Sequence, residues 1–411
     1  MRAAIAIAVL SVFLVGCGTN MARYSFETQP RSPLEAAGMK SARGVKMDVS
    51  PSGMISLIAV YDDNGTSRVG FTMSHDGADN FAAVRAISPE SVKISAHGEN
   101  DPELAVAGRN IYALWEQTHA DGTRDIVMAS SPDMGQRFDT PVKVNDNTTP
   151  SFHGFASLAV APDGDVYVAW LDGREKVETP GTFAVYLARS TDRGATFGKN
   201  VRVAPGACPC CRPAVAIGAN GEVFVAWRKV FPGSIRDFAV STSHDNGQTF
   251  SASVRVAEDG WQIHGCPESG ASLAVAKGKL YIAWMTAGDD GRGRIRVATS
   301  GDGTHFSRPN DVATDIRDPN HPQLAATQNG SVFLCFQGRP ARKSTGNWSE
   351  SVALVAPIED GKVGAEIPLA NGGKTASYPA LAAGPAGDLF VAWTASGGGA
   401  DSILIARGAR Q

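Results

Sequence analysis

The sequence predicts an all-β protein of the β-propeller class, built from four-stranded blades. The main observation is a phrase of two apolar strands joined by a tight turn, which occurs seven times in the 411 residues. The copies recur at a period of about 55 residues, which is typical of propellers rather than of shorter solenoid repeats. The 45 glycines and 23 prolines agree with many short strands and turns. We find no convincing helical period.

The second strand of each copy ends in an aromatic residue. A weak first copy, VKMDVSPSGMISLIAVY, ends at Tyr61, and the other six copies end at Trp115, Trp170, Trp227, Trp284, Phe336 and Trp393. Each copy continues with a third strand, a turn and a fourth strand, which is the pattern of a propeller blade. We therefore prefer seven blades, with six as the alternative, at about 45–90, 100–146, 155–205, 212–257, 270–314, 322–370 and 378–408.

The last blade has room for three strands only, of which SILIARG is the third. We expect a segment within Arg23 to Lys46 to supply its fourth strand, because such closure removes two open sheet edges. The predicted organisation is a signal peptide at 1–17, a tether with a possible closing strand at 18–44, and a single propeller domain at 45–411.

The N-terminus has the pattern of an export signal. Arg2 is followed by an apolar run, Ala3 to Val15, that is too short to span a bilayer as a mature helix. The run ends in LVGC, which resembles a bacterial lipobox with Cys17 as the lipidated residue. This resemblance implies a membrane-anchored lipoprotein of the bacterial cell envelope, outside the cytoplasm and, in a diderm, at the outer membrane or periplasmic side.

The charge of the chain excludes one class of partner. The formal net charge is -3 and the pI is about 6.3. The sequence has no basic stripe, so we expect no nucleic acid partner. We expect a monomer that binds a metal ion or a small glycan.

Histidines and cysteines are concentrated in the segments that precede the first strand of each repeat. Since strands alternate in direction within a blade, these segments should surround one mouth of the central axis. The residues are His97, His153, Cys208, Cys210, Cys211, His264, Cys266 and His321. Cys335 instead aligns with a strand interior, where we expect a buried thiol.

Three interpretations of this cluster remain open. Thiolates and imidazoles suit copper or zinc, so the leading hypothesis is a binding protein that holds a soft transition metal. Its ligands would be Cys208, Cys210, Cys211, His264 and Cys266, with His97, His153 or His321 available as further ligands. Alternatively, Cys266 forms a disulfide with Cys208, Cys210 or Cys211, as an oxidising compartment favours. The third interpretation is a redox site. An odd number of cysteines follows Cys17, so at least one has no disulfide partner within the chain.

The turn between the third and fourth strands carries a second motif. STDRGATF (Ser190 to Phe197) and SHDNGQTF (Ser243 to Phe250) are its best copies, and three other repeats carry degenerate ones. These copies resemble the Asp boxes, or BNR repeats, of sialidase-like propellers. We interpret the aspartate as a local staple that accepts amide hydrogens of the turn.

The resemblance to sialidases implies an alternative function, an exo-sialidase or related glycoside hydrolase acting at the same mouth. Tyr378 matches the position of the family's catalytic tyrosine, directly before the first strand of a late blade. Arg212, Arg317 and Arg339 would bind a substrate carboxylate, and Glu268 is a candidate acid. The family's early F/Y-R-I-P motif is missing here. A protein-interaction scaffold is a weaker alternative, and the sequence leaves open whether the protein is an enzyme.

Overall fold

The computed structural model describes residues 24–27, 29–148, 151–175, 181–312, 316–340 and 351–411. These residues form antiparallel β-strands and one short 3-10 helix, Pro232–Ser234, so the predicted all-β propeller class is confirmed. Cys17 and the predicted signal peptide lie outside the described residues. Within them, no helix is long and apolar enough to cross a membrane.

The first two repeats form separate sheets. The first contains β2 (Arg43–Val49), β3 (Ile55–Asp63), β4 (Thr66–Ser74) and β5 (Arg85–Ala86). The second contains β6 (Lys93–Ile94), β7 (Glu103–Ala107), β8 (Asn110–Thr118), β9 (Arg124–Ser131) and β10 (Val142–Lys143).

The third and fourth repeats share one eight-stranded sheet. A single pair of residues, Ala207 and Lys229, joins the two halves. The first half contains β11 (His153–Val160), β12 (Val166–Asp172), β13 (Phe183–Ser190) and β14 (Val201–Ala207). The second half contains β15 (Ala214–Ile217), β16 (Val223–Phe231), β17 (Ile235–Ser243) and β18 (Val254–Arg255).

The remaining strands form three more sheets. One contains β19 (Ser272–Ala276), β20 (Lys279–Thr286), β21 (Arg294–Ser300) and β22 (Asn310–Val312). The next contains β23 (Ile316–Ala326), β24 (Val332–Pro340), β25 (Val352–Glu359), β26 (Lys362–Val363) and β27 (Ile367–Pro368). The last contains β28 (Thr375–Ala383), β29 (Leu389–Ser396), β30 (Ser402–Arg410) and β1 (Tyr24–Phe26).

Strand β1 closes the circle of sheets. It pairs antiparallel with β30, with Tyr24 opposite Arg410, in the place expected for an N-terminal closing strand. The leading strands of the repeats also contact one another in chain order, and the last of them contacts the first. These strands, which we call the inner strands, are β2, β7, β11, β15, β19, β23 and β28. They therefore surround a common axis.

The aromatic residues at the ends of the second strands form the core between neighbouring sheets. Trp170, Trp227, Trp284 and Trp393 have no exposed surface. Trp284 packs with Phe238 of the preceding repeat, and Cys335 is fully buried as predicted.

The first repeat departs from the prediction that Tyr61 is its core aromatic residue. Regular pairing of β2 begins with Lys46 opposite Ile58, and that of β7 begins with Glu103 opposite Leu114. The core aromatic Trp115 directly follows Leu114. The equivalent residue of the first repeat is therefore Ala59, which follows Ile58, and not Tyr61.

The Asp-box turns have the local hydrogen bonds expected of a staple. In the turn after β17, Asp245 accepts hydrogen bonds from the backbone N–H and hydroxyl of Thr249 and from the hydroxyl of Ser243. The Ser243 hydroxyl accepts one from the Gly247 N–H. These bonds lower the pKa of Asp245 to about 2, with the Thr249 hydroxyl first among the causes.

We expect Asp245→Ala to lower the Tm by about 2 °C at neutral pH. Because the folded-state pKa is depressed, the carboxylate stabilises the fold above its unfolded pKa and loses this effect as pH falls from 3.8 toward about 2. Thermal unfolding of both proteins across this pH range should therefore show the Tm difference narrowing. His244→Ala, an exposed change in the same turn, is the matched control.

Candidate functional site

Bulges lie near the start of four of the inner strands. The strand pairing shifts register in β2, β11, β23 and β28. Strand β23 has two such shifts, and each of the five shifts contains one residue with a positive φ: Gly44, Phe155, Asp318, His321 and Tyr378. Positive φ is strained for residues other than glycine, and such strain is concentrated at functional sites. Bulges are known to redirect side chains next to active sites.

In each inner strand, the residue two positions before the start of regular pairing with the second strand is equivalent from repeat to repeat. In the other three strands this position is held by Asp101, Arg212 and Gly270. A small cavity of about 20 Å³ lies among these positions. It is lined by Lys46, Glu99, Asp101, Arg212, His321, Gln323, Tyr378 and Pro379. These residues come from five repeats, so the cavity lies at the central axis, and we call it the mouth cavity.

Glu99 is the buried hub of this cavity. Its Oε2 accepts hydrogen bonds from the backbone N–H groups of Gly270, at 2.5 Å, and Arg212, at 3.2 Å. Its Oε1 lies 3.0 Å from Nδ1 of His321. Burial alone would raise the pKa of Glu99, but the His321 hydrogen bond and the charges of His321 and Arg212 outweigh it and lower the pKa. Glu99 is therefore an ionised carboxylate that orients His321.

His321 and Tyr378 are in ring contact, with their centroids 4.2 Å apart. Burial raises the pKa of Tyr378 to about 12, and the negative charges of Asp101, Glu99 and Glu268 act in the same direction. The phenol is therefore a neutral proton donor. When His321 donates from Nδ1 to Glu99, its Nε2 is the nitrogen that can accept a proton. The pair combines an acid and a base.

Buried charges also line the cavity. The Arg212 guanidinium contacts the Glu103 carboxylate and the backbone carbonyls of Glu99 and Asp101. Lys46 Nζ lies 3.1 Å from Glu103 Oε1. Burial and repulsion from Arg212 lower the pKa of Lys46 to about 7, while burial raises the pKa of Asp101. The charge state of Lys46 thus changes near neutral pH.

The structure brings together three of the five residues that the sialidase resemblance implies. Tyr378 and Arg212 line the cavity. The exposed Glu268 lies at its rim, because its Oε2 and the Tyr378 hydroxyl are each 3.5 Å from the position a Cβ at Gly98 would take. Arg317 and Arg339 lie outside the cavity lining. They are opposite each other on β23 and β24, and Arg339 is paired with Asp318.

The predicted metal ligands are divided among several environments. His153 lies 2.7 Å from the Arg124 carbonyl and 3.6 Å from Asp172, and His321 is held by Glu99. His97 and His264 are exposed. Cys208, Cys210 and Cys211 are buried, and their sulfur atoms lie within 4.8 Å of one another.

A disulfide joins Cys210 to Cys266, while Cys208 and Cys211 are free. This bond agrees with the second interpretation of the cluster, and it occupies two of the five thiol and imidazole groups of the leading metal hypothesis. Cys208 Sγ lies 3.7 Å from the sulfur atoms of both Cys210 and Cys211, and 2.9 Å from Arg236 Nη1. The hydrogen bond from Cys211 and the charge of Arg236 lower the pKa of Cys208 to about 6, whereas burial raises that of Cys211.

Several cavity residues were not chosen from the sequence. Glu99 and Asp101 precede an inner strand in SAHGENDPEL, so the rule that predicts mouth residues does identify their position. Their role depends on contacts with distant segments, which a single sequence does not show. Lys46 and Gln323 lie inside inner strands, where no motif distinguishes them.

Comparison with known proteins supports a specific family. The sequence model described as BNR repeat-like domain matches residues 108–391. No curated protein sequence matches the chain. Solved structures resemble the fold at low identity, and likeness of fold does not establish activity.

Three of these structures are carbohydrate-active proteins. The polysaccharide lyase Uly1 is 11% identical with a TM-score of 0.57, covering 90% of each chain. An ulvan lyase bound to -[GlcA(1-4)Rha3S]- is 12% identical with a TM-score of 0.54, covering 90% of this chain and 94% of the other. The Hadza microbial sialidase Hz136 is 15% identical with a TM-score of 0.50, covering 88% and 74%.

Proposed function

Because the chain belongs to the BNR repeat-like domain family, we propose that it cleaves glycosidic bonds in an acidic glycan bound at the mouth cavity. The observation that carries the proposal is the contact between Tyr378 and His321, with His321 oriented by the buried carboxylate of Glu99. The similar folds named as polysaccharide lyases and a sialidase support a carbohydrate substrate. A pocket with convergent polar groups and perturbed pKa values is a reasonable active site.

The arrangement favours cleavage by elimination. His321 Nε2 removes the proton on the carbon next to a uronate carboxylate. The electron pair then forms a carbon–carbon double bond as the bond to the glycosidic oxygen breaks. Tyr378 donates its proton to that oxygen. Acid–base catalysis by positioned groups contributes typically about 10²–10⁴-fold to the rate.

Hydrolysis with Tyr378 and Glu268 fits the site less well. The mouth arginine, Arg212, is engaged by Glu103 and by backbone carbonyls, so its guanidinium is not free to bind a substrate carboxylate. Glu99 accepts three hydrogen bonds and is not available as a proton donor. The remaining carboxyl groups are Glu268 at the rim and Asp101 in the cavity lining, so hydrolysis with Tyr378 as nucleophile would have to proceed without a mouth arginine for the substrate carboxylate.

A panel of polyuronates, sulfated uronate polymers and sialosides tests the proposal. We expect the full chain to produce unsaturated uronates, detected by their ultraviolet absorbance together with new reducing ends. New reducing ends without this absorbance would show that the protein cleaves the bond by hydrolysis and not by elimination. If no glycan in the panel is cleaved by protein whose fold is verified by circular dichroism, the proposed function is wrong.

Lys46 should make glycan binding depend on pH. Its lowered pKa of about 7 means that the ammonium is charged below neutral pH and neutral above it. We therefore expect the KM for an acidic glycan to rise about 3- to 10-fold between pH 6 and pH 8, which corresponds to a loss of up to about 1.4 kcal/mol. In Lys46→Met, KM should stay high at both values. A wild-type pH profile that persists in this variant would assign the effect to another group.

We also propose that Cys17 anchors the protein to the envelope. The lipobox-like LVGC sequence supports this location. In fractionated cells, the wild-type protein is expected in the membrane fraction and Cys17→Ser in the soluble fraction or unprocessed. A wild-type N-terminal peptide with the mass of an unmodified Cys17 would contradict lipidation.

A soft transition metal at Cys208, Cys210 and Cys211 is a second candidate function. Their sulfur atoms lie within 4.8 Å of one another, and copper(I) and zinc favour thiolates. Cys210 becomes a ligand only when its disulfide is reduced. Elemental analysis after reduction should give one metal per chain, and Cys211→Ser should abolish it. Stoichiometry unchanged in that variant would exclude the site.

A further inference from the structure

We propose that Cys208, Cys210, Cys211 and Cys266 form a thiol–disulfide exchange site that opens and closes the covalent link between the segments preceding β15 and β19. We call these two segments the β15 leader and the β19 leader; they comprise residues 208–213 and 262–271. This inference is independent of the proposed glycan cleavage.

The geometry places a buried nucleophile beside the disulfide. Cys208 Sγ lies 3.7 Å from the Cys210 sulfur, which is half of the bond to Cys266. Arg236 Nη1, at 2.9 Å, stabilises negative charge on the attacking sulfur. The Cys208 N–H donates to the Arg228 carbonyl at 2.8 Å, which fixes the backbone of the attacking residue.

A second free thiol completes the exchange. Cys211 Sγ also lies 3.7 Å from Cys208 Sγ, and the two residues have the Cys-x-x-Cys spacing of dithiol redox motifs. Cys266, by contrast, is at the exposed end of the disulfide. The cluster therefore has a buried dithiol on one side and a solvent-accessible sulfur on the other.

The exchange proceeds in two steps. The Cys208 thiolate attacks Cys210 Sγ, so that a Cys208–Cys210 bond forms and the Cys266 sulfur leaves as a thiolate, which takes up the proton of Cys211. The Cys211 thiolate then attacks Cys208 Sγ. A Cys208–Cys211 bond forms, and Cys210 leaves as a thiolate that takes a proton from solvent to replace the one Cys208 released. One disulfide is broken and one is formed, so the rearrangement needs no oxidant or reductant.

Both of the leaders that the disulfide joins contact the mouth cavity. Arg212 follows Cys211, and Gly270 lies in the β19 leader; the N–H groups of both donate to Glu99. Glu268, at the cavity rim, is two residues from Cys266. Exchange thus frees the β19 leader from the β15 leader and gives the rim carboxylate more freedom.

Alkylation of the full chain in detergent, followed by peptide mapping of its disulfides, tests the inference. Iodoacetamide added to the native protein without reductant traps any Cys266 thiol that exchange releases. We expect label to accumulate on Cys266, together with a Cys208–Cys211 disulfide. In Cys208→Ser, Cys266 should remain bonded to Cys210, with labelling reduced at least tenfold. Cys335→Ser, which removes a buried thiol outside the cluster, should behave as wild type.

Two results would overturn the inference. One is a wild-type protein in which Cys266 stays unlabelled and the Cys208–Cys211 bond never forms. The other is Cys266 labelling in Cys208→Ser at the wild-type rate. Neither result depends on glycan cleavage. The exchange can therefore be disproved while the proposed function stands, and the proposed function can be disproved while the exchange stands.

Discussion

Replacing Tyr378 with phenylalanine is expected to lower kcat for the cleaved glycan by about 10²–10⁴-fold with little change in KM. The substitution removes the hydroxyl that gives a proton to the leaving oxygen, while the ring that contacts His321 remains. Because the pKa of Tyr378 is raised to about 12, the hydroxyl is protonated at all working pH values in the wild-type protein. Steady-state kinetics with the best substrate of the panel measures the effect.

Tyr112→Phe is the control for Tyr378→Phe. Tyr112 is fully buried, and its hydroxyl has no hydrogen-bond partner among the described residues, so its loss should leave kcat unchanged. If Tyr378→Phe retains wild-type kcat, Tyr378 is not the proton donor.

Replacing Glu99 with glutamine is expected to lower kcat by about 10²-fold, because His321 loses the carboxylate that orients it. The neutral amide also weakens the hydrogen bonds from Gly270 and Arg212. Hydrogen bonds to a charged group are worth about 1.5–3 kcal/mol, so we expect the free energy of unfolding to fall by about 2 kcal/mol. Urea unfolding measures this change.

The separate kinetic constants distinguish orientation of His321 from simple destabilisation. Loss of orientation should lower kcat and leave KM near its wild-type value, because Glu99 holds His321 rather than the glycan. Glu90→Gln changes an acid on an exposed turn and should alter neither stability nor kcat. A folded Glu99→Gln protein that keeps the wild-type kcat would give Glu99 a structural role only.

The repeat pattern was sufficient to predict the fold because each copy encodes its own strand pair and core aromatic. Trp115 to Trp393 all follow this rule, and the Asp boxes occupy the turns that it assigns. In the first repeat the sequence analysis placed the core aromatic two residues too late. Ala59 fills that position, whereas Tyr61 is the nearest aromatic residue in the sequence. A small core residue has no signature in a single sequence.

The site was only partly predictable. The position of mouth residues follows from strand direction, which is why Tyr378, Arg212 and His321 were identified. Their partners were not, because Glu99 contacts Arg212, Gly270 and His321 across large sequence separations. The cysteine cluster was similarly ambiguous. Which of Cys208, Cys210 and Cys211 bonds to Cys266 depends on the relative placement of two leaders rather than on their spacing.

The most direct test is a crystal structure of Tyr378→Phe with an acidic oligosaccharide that the wild-type protein cleaves. We predict a sugar ring at the entrance of the mouth cavity, with the carbon next to its carboxylate facing His321 Nε2 and the glycosidic oxygen facing the position of the lost hydroxyl. An oligosaccharide bound elsewhere on the propeller, with the mouth cavity empty, would contradict the account.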